Sequence, residues 1–251
     1  MKISIIIATF NAGKTLHRCL NRITSQLNQE TELIIIDGGS TDNTHDIIES
    51  YSSKVNYFIS EPDKGIYDAW NKGIKASQGE WIMFLGADDL LKPNALSMYL
   101  NKLRSITDTY QLVSSKRTMV NINGKPIYTV GSCWQWPQCI KGMPISHPGA
   151  LHRRTLFNEV GLYSLKYRIC SDYELLLRKK DKLKADFMDE ITVDMQTGGM
   201  SDSYTAIREY YQILMYTAHI SSFEALFRYS VMLVKYTAKH LLKKIGIKHH
   251  T

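Results

Sequence analysis

The feature that most constrains this chain is an alternation of short aliphatic runs with segments of helical period. Ile3 to Ala8 is continuous, apolar and rich in β-branched residues, which is how a strand buried on both faces reads. From residue 15 to 27 the period changes, and Leu16, Cys19, Leu20, Ile23 and Leu27 fall on one helical face. The cycle repeats. Glu32 to Ile36 predicts a strand, and Asp42 to Ser50 a short helix with Ser40 or Thr41 as its N-cap. Val55 to Ser60 predicts a third strand, Tyr67 to Ala76 a helix, and Trp81 to Leu85 a fourth strand. Another helix follows, with Pro93 in its first turn and Leu96, Tyr99, Leu100 and Leu103 as its apolar stripe. Strands alternating with helices require crossover connections, and so an α/β fold with a doubly wound, mostly parallel sheet.

Beyond residue 108 the pattern changes. Gln111 to Lys116, Thr118 to Ile122 and Ile127 to Val130 predict strands, the last two joined at Asn123-Gly124 as a hairpin, giving a small antiparallel addition. An irregular stretch with Trp134, Trp136 and Pro137 precedes a helix at Asp172 to Lys182 and a strand near Phe187 to Val193. Two helices, Tyr204 to Ser221 and Phe223 to Ile245, close the chain.

In open parallel sheets ligands sit beyond the carboxyl ends of the strands. Here those ends carry Thr9 and Asn11, then Asp37, then Glu61 and Asp63, then Asp88 and Asp89. An acidic pair after a buried strand offers oxygen ligands to a hard cation such as Mn2+ or Mg2+, and equally opens a turn. Lys64 is placed to neutralise an anionic ligand or to form a solvated salt bridge with Glu61 and Asp63.

The blocks Ser4-Ile5-Ile6-Ile7-Ala8-Thr9-Phe10-Asn11, Ile36-Asp37-Gly38-Gly39-Ser40-Thr41-Asp42, Ser60-Glu61-Pro62-Asp63-Lys64-Gly65-Ile66-Tyr67-Asp68-Ala69, Asn71-Lys72-Gly73-Ile74 and Ala87-Asp88-Asp89 resemble, in this order, family 2 glycosyltransferases. The resemblance is nearest to bacterial enzymes of colanic acid, O-antigen and capsule assembly. It implies a GT-A fold and transfer of a sugar, with inversion, from a nucleotide diphosphate donor, most simply a UDP-hexose or UDP-N-acetylhexosamine. The Thr9 region, Asn11 and Asp37 would bind the base, Asp37 accepting the ring N–H. Lys64 and Asp68 would lie along the donor, Asp88 on the ribose and Asp89 on the metal. Gly86 stands where the family has an acid, which removes one carboxylate near the metal.

In the second half, Ser171-Asp172-Tyr173-Glu174 resembles the family's Glu-Asp element, with Ser171 replacing an acid. Asp172 carries over as catalytic base, with Glu174 as the fallback. His147 and Trp134 are acceptor-side candidates, although either also suits core packing. Gly199 and Ser201 resemble a Gly-Gly-x-Ser loop that closes over the diphosphate. The implied division is a catalytic domain over 1–202, with a nucleotide-sugar half (1–107) and an acceptor half (108–202), followed by a basic helical extension (203–251). The two departures, Gly86 and Ser171, keep an inactive sugar-binding homologue as the competing expectation, alongside a dTDP- or GDP-sugar transferase.

The net charge is +7, and from Ala225 onward the chain carries Arg228, Lys235, Lys239, Lys243, Lys244 and Lys248 with no acid. A basic amphipathic helix of this kind suits an anionic membrane surface, or packing on the domain or in a homodimer. It would bring the enzyme to a lipid-linked acceptor, such as an undecaprenyl-diphosphate saccharide. Charge confined to one terminal helix without an RNA or DNA module argues against nucleic acid. The first turn lacks GxGxxG, which argues against a nicotinamide cofactor. Four cysteines without CxxC pairs and an N-terminus without signal character predict a cytoplasmic protein, peripheral on the inner face of the plasma membrane.

Overall fold

A computed structural model describes residues 2–244. In chain order the elements are β1 (Ile3–Thr9), α1 (Leu16–Thr24), β2 (Thr31–Asp37), α2 (Thr44–Ser50), β3 (Tyr57–Ser60), α3 (Ile66–Ala76), β4 (Trp81–Gly86), β5 (Leu90–Leu91) and α4 (Ala95–Ser105). The second half holds β6 (Leu112–Val120), β7 (Pro126–Val130), α5 (Trp136–Cys139), β8 (Leu151–Arg153), α6 (Arg154–Val160), α7 (Ser171–Leu177), β9 (Ala185–Gln196), α8 (Tyr204–Tyr216) and α9 (Ser222–Lys244). The strands form one sheet in the order β3-β2-β1-β4-β8-β6-β9-β5, with β7 paired to β6. The pairs among β3, β2, β1 and β4 are parallel, as is β6 with β9. β8 joins the halves antiparallel to both β4 and β6.

Alternation along the strands explains the two main cores. Ile3, Ile5 and Ile7 point into one cluster with Leu16, Leu20 and Tyr99, while Ile6 points into the other with Tyr67, Trp70, Phe157 and Leu176. The sheet is therefore covered on both faces, which is what its near-continuous aliphatic strands require. Gly73 permits the close seat of α3, because a Cβ there would stand 2.4 Å from Ile6 Cγ2. A third cluster joins Tyr173 and Leu177 of α7 to Tyr210, Ile213 and Leu214 of α8 and Ala225 of α9.

Several local expectations change. The strands expected over 111–116 and 118–122 are one strand, β6, which runs through Lys116 and Arg117. Pro93 precedes its helix, because Asn94 takes a left-handed conformation (φ 63°) as the N-cap. Neither Ser40 nor Thr41 caps α2; the Asp42 side chain accepts from the Thr44 amide at 3.1 Å instead. The helix expected over 172–182 stops at Leu177 and gives way to a 3-10 turn, Lys180–Lys182. The end of the last helix at Ile245, and Lys248, lie outside the described residues.

Candidate active site

Parallel register aligns the strand ends: Thr9 faces Asp37, Asp37 faces Ser60, and Ala8 faces Gly86. Asp37 is fully buried. Its Oδ1 accepts from Thr9 Oγ1 (2.8 Å) and Ser40 Oγ (2.5 Å), and its Oδ2 from the amides of Gly39 (3.1 Å) and Ser40 (2.8 Å) and from Ser60 Oγ (2.7 Å). His45 Nε2 lies 3.0 Å from Oδ2. Burial alone would raise the Asp37 pKa, but the Ser40, Ser60 and His45 hydrogen bonds outweigh it and hold the group below the usual carboxylate range. A ring N–H approaching Asp37 would compete with donors already in place. The carboxylate organises the wall of the crevice, while Phe10 stands 64 % exposed beside it.

Asn11 is likewise engaged within the chain. At φ 49° its Oδ1 accepts from the Thr41 amide (2.9 Å), and its own amide donates to Ser40 Oγ (2.8 Å). The loops after β1 and β2 are thus laced together. On the next loop, Asp68 accepts from the Lys64 amide (3.0 Å). The ion pair expected between Lys64 and Glu61 is made by Lys72 instead, at 2.9 Å, because α3 brings Lys72 back over the loop. Asp63 accepts from the Gly65 amide at 2.8 Å.

At the end of β4 the acidic pair splits. Asp88 is exposed, whereas Asp89 is 4 % exposed and accepts from the Gly86 amide at 2.8 Å. Burial, then the Asp88 charge, push the Asp89 pKa up to about 7, against the opposing Gly86 amide and Arg117 charge. Both carboxylates converge on the space a side chain at 86 would fill: a Cβ there would lie 2.9 Å from Asp88 Oδ1 and 3.3 Å from Asp89 Oδ2. Two hard oxygen donors around such a cradle fit a divalent cation. Among the described residues no cluster of three or more His, Cys, Asp or Glu completes a metal site. Further ligands would have to come from elsewhere, and phosphate oxygens or water are chemically suitable.

In the second half of the chain, α7 presents Asp172 near its N-terminus. Asp172 Oδ1 lies 2.9 Å from the Tyr67 hydroxyl, which is also 2.5 Å from the Ile169 carbonyl. Burial raises the Asp172 pKa above the usual 3.8, against stabilisation of the carboxylate by its own helix amides, by Tyr67 and by the charge of Arg117. A partly desolvated carboxylate near a phenol can take a proton from a hydroxyl.

Residues 4–155 match the family model for glycosyl transferase family 2, more than half of the chain. The chain belongs to glycosyl transferase family 2. A PGL/p-HBAD biosynthesis glycosyltransferase of Mycobacterium bovis is 32% identical over 178 residues, covering 70% of this chain and 68% of the relative. An uncharacterized glycosyltransferase of Rickettsia typhi is 25% identical over 98% of this chain and 79% of its own length. Among solved structures, S. aureus TarS 1-349 in complex with UDP-GlcNAc superposes with TM-score 0.70 at 18% identity, covering 99% of this chain and 76% of that one. Glucosyl-3-phosphoglycerate synthase from Mycobacterium tuberculosis, solved with Mn2+, UDP and glucosyl-3-phosphoglycerate, gives TM-score 0.62 at 18% identity over 88% of this chain and 81% of that one. The fold is GT-A.

Three secondary candidates in this glycosyltransferase have other occupations. Glu174 is buried and ion-paired with Arg178 (2.5 Å), and it accepts from Thr217 Oγ1 (3.1 Å), so it is not free to act as a base. His147 is not on an acceptor surface: it is 3 % exposed, stacked on Trp70 and Phe84, with Nε2 3.0 Å from the Tyr163 hydroxyl. Burial, then the Arg117 charge, lower its pKa to about 3, which keeps it neutral. Trp134 packs between two core clusters and donates from Nε1 to the Lys180 carbonyl at 3.2 Å. Gly199 and Ser201 sit on an exposed loop between β9 and α8.

Sequence reasoning missed Glu209. This buried α8 carboxylate accepts from three successive amides, Arg168 (2.8 Å), Ile169 (2.9 Å) and Cys170 (2.9 Å), and so fixes the segment that leads into Asp172. Glu209→Gln leaves one carbonyl oxygen for these donors. We expect a loss of about 2 kcal/mol in urea unfolding, together with a lower kcat at nearly unchanged donor affinity. A variant as stable and as active as wild type would show that the hook is dispensable.

Proposed function

We propose that this family 2 glycosyltransferase moves a sugar from a UDP-hexose or UDP-N-acetylhexosamine to a saccharide acceptor, lipid-linked through undecaprenyl diphosphate, in bacterial surface polysaccharide assembly. The observation that carries the reading is a pair of acidic sites: Asp88 and Asp89 around the cradle at Gly86, and Asp172 on Tyr67. The UDP-GlcNAc complex of TarS and the UDP and Mn2+ complex of the synthase support the donor class. The role of the mycobacterial relative in PGL/p-HBAD biosynthesis supports a glycoconjugate product.

In this mechanism residues 1–107 hold the donor and 108–202 the acceptor. Asp172 takes the proton of the acceptor hydroxyl as its oxygen attacks the anomeric carbon opposite the diphosphate. The bond from that carbon to the diphosphate oxygen breaks, and the configuration inverts. Mn2+ or Mg2+ held by Asp89, with Asp88 beside it, would offset charge on the leaving diphosphate. Asp37, Thr9 and Asn11 keep the base wall in shape. A mannosyltransferase from Pyrobaculum calidifontis solved with GDP-Man and Mn2+, TM-score 0.60, keeps a GDP donor as the second reading.

The test is release of nucleoside diphosphate from UDP, GDP and dTDP sugars with Mn2+, Mg2+ or EDTA, using wild type and Asp89→Asn. Slow hydrolysis of one UDP sugar that needs both metal and Asp89 is the expected result. Hydrolysis of a GDP or dTDP sugar alone would replace the donor, and silence despite confirmed nucleotide binding and supplied lipid-linked acceptors would leave a sugar-binding homologue.

No helix among the described residues is long and apolar enough to cross a membrane. Helix α9, however, exposes Phe223 (85%), Phe227 (64%), Val234 (66%) and Leu241 (63%) along one face, while Ala225 turns inward. Lys235 and Lys239 lie further round the helix, and Lys239 pairs with Asp202 at 2.7 Å. An exposed apolar stripe on a basic helix fits an anionic lipid surface on the cytoplasmic side. Replacing Phe223, Phe227 and Val234 by Ser should cut co-sedimentation with phosphatidylglycerol vesicles at least fivefold, since each side chain forfeits roughly 1 to 3 kcal/mol of burial. Undiminished pelleting would remove the membrane role, and a shift from dimer to monomer instead would assign the stripe to a homodimer.

A further inference from the structure

Thr9, Ser40, Ser60 and the amides of Gly39 and Ser40 already fill the roughly four acceptor sites of the Asp37 carboxylate. A second carboxylate lies close by. Three strand ends meet at Gly38: its amide donates to the Thr9 carbonyl of β1 (2.9 Å), and the Glu61 amide beyond β3 donates to the Asp37 carbonyl (3.0 Å). A Cβ built on Gly38 would stand 2.7 Å from Asp63 Oδ2 and 3.4 Å from Phe10 Cδ2. Unlike Gly39 (φ 85°), Gly38 does not take a left-handed conformation, so it is the close approach of Asp63 that calls for a glycine. The Asp63 carboxylate thus lies over the end of β2, next to the exposed ring of Phe10.

Asp63 is held by one oxygen. Its Oδ1 accepts from the Gly65 amide at 2.8 Å, whereas Oδ2 has no donor among the described residues. Lys72, beside this loop, is committed elsewhere: it pairs with Glu61 at 2.9 Å and donates to the Pro62 carbonyl at 3.2 Å. A carboxylate oxygen with free lone pairs, fixed by its twin and set beside an exposed aromatic ring, suits a planar heterocycle that carries one N–H at its edge. Uracil and thymine offer such an N–H between two carbonyls. Cytosine presents a bare ring nitrogen there. Guanine sets its ring N–H beside an amino group that needs a second acceptor, and the Gly65 amide has taken it.

We infer that Asp63 selects the base of the donor nucleotide: its Oδ2 accepts the ring N–H of uracil while the base lies against Phe10, over Gly38. This rests on the nucleotide-sugar reading above for its ligand and deepens it, moving base selection from Asp37 to the loop after β3. Asp37 then has a supporting part, since it ties Ser40 and Ser60 together and so keeps the loops after β2 and β3 in place around Gly38.

The test is calorimetric binding of UDP, 3-methyl-UDP, CDP and GDP to wild type, Asp63→Asn and Gly38→Ala, with thermal unfolding of each. Wild type should bind UDP about 10-fold more tightly than the other three, the loss expected for one hydrogen bond to a charged group. In Asp63→Asn the side-chain carbonyl stays on the Gly65 amide, so the NH2 takes the place of Oδ2 and faces the base. UDP should then weaken about 10-fold while CDP, whose ring nitrogen accepts, tightens, and the order of the two reverses. In Gly38→Ala the methyl displaces the carboxylate, and UDP should bind no better than 3-methyl-UDP. Parallel weakening of UDP and CDP in Asp63→Asn would mark a residue that only holds the loop and overturns the assignment. UDP affinity of Asp63→Asn within about twofold of wild type, or equal binding of UDP and 3-methyl-UDP by wild type, overturns it too and leaves the UDP donor standing. Binding of GDP alone, or of no nucleotide, by wild type overturns the donor reading as well.

Discussion

Asp172→Asn should lower kcat for transfer by about 10³-fold while donor affinity stays within about twofold of wild type. Asparagine keeps the shape and can still accept from Tyr67, but it cannot receive the acceptor proton. The pH profile carries a second signature. A base must be deprotonated to act, and burial raises the Asp172 pKa, so activity should be lost as pH falls through a midpoint above the usual carboxylate value of 3.8. Tyr67→Phe removes a group that stabilises the carboxylate, so this acid limb should move to still higher pH. Steady-state kinetics on all three proteins, from pH 4 to 8, checks both claims. Retention of a tenth of the activity by the Asn variant would move the base elsewhere.

Asp37→Ala should cost about 3 to 5 kcal/mol of stability, measured by urea unfolding at pH 7. Thr9, Ser40, Ser60, His45 and two amides would lose their shared acceptor at one stroke in a fully buried position. Asp37→Asn should cost nearly as much, because its NH2 would face donors. The pH dependence has a definite sign. The folded pKa of Asp37 is depressed, so its contribution is complete above the unfolded value of 3.8 and is lost as pH falls below it toward the folded value. The gap between wild type and Asp37→Asn should be flat from pH 7 to about 5 and narrow below about 4. A gap under about 1 kcal/mol at pH 7 would mean that the network is not cooperative.

The strands β1, β2 and β4 were legible because burial on both faces leaves no polar register to confuse, and reading their ends placed Asp37 at the end of β2 and Asp88 and Asp89 just beyond β4. β6 was less so. Lys116 and Arg117 break its apolar run, yet one pairs outward with Asp189 and the other turns inward, so a continuous strand reads as two. β8 and α6 gave no signal: Leu151–Arg153 is three residues long and is held by partners on both sides rather than by its own pattern. Glu174 looked available as a base because nothing local shows that Thr217 will also bind it. Glu209 was invisible for the same reason, since its three amide partners lie 39 to 41 residues earlier. Long-range hydrogen bonds leave no period in a sequence.

Tyr67 belongs to α3 in the first half of the chain, yet its hydroxyl touches both Ile169 and Asp172 in the second. A phenol is a rigid spacer, so the distance from α3 to the Asp172 carboxylate is set by one aromatic ring. Substitutions elsewhere in either half leave that distance unchanged as long as the ring keeps its seat against Trp70 and Tyr163.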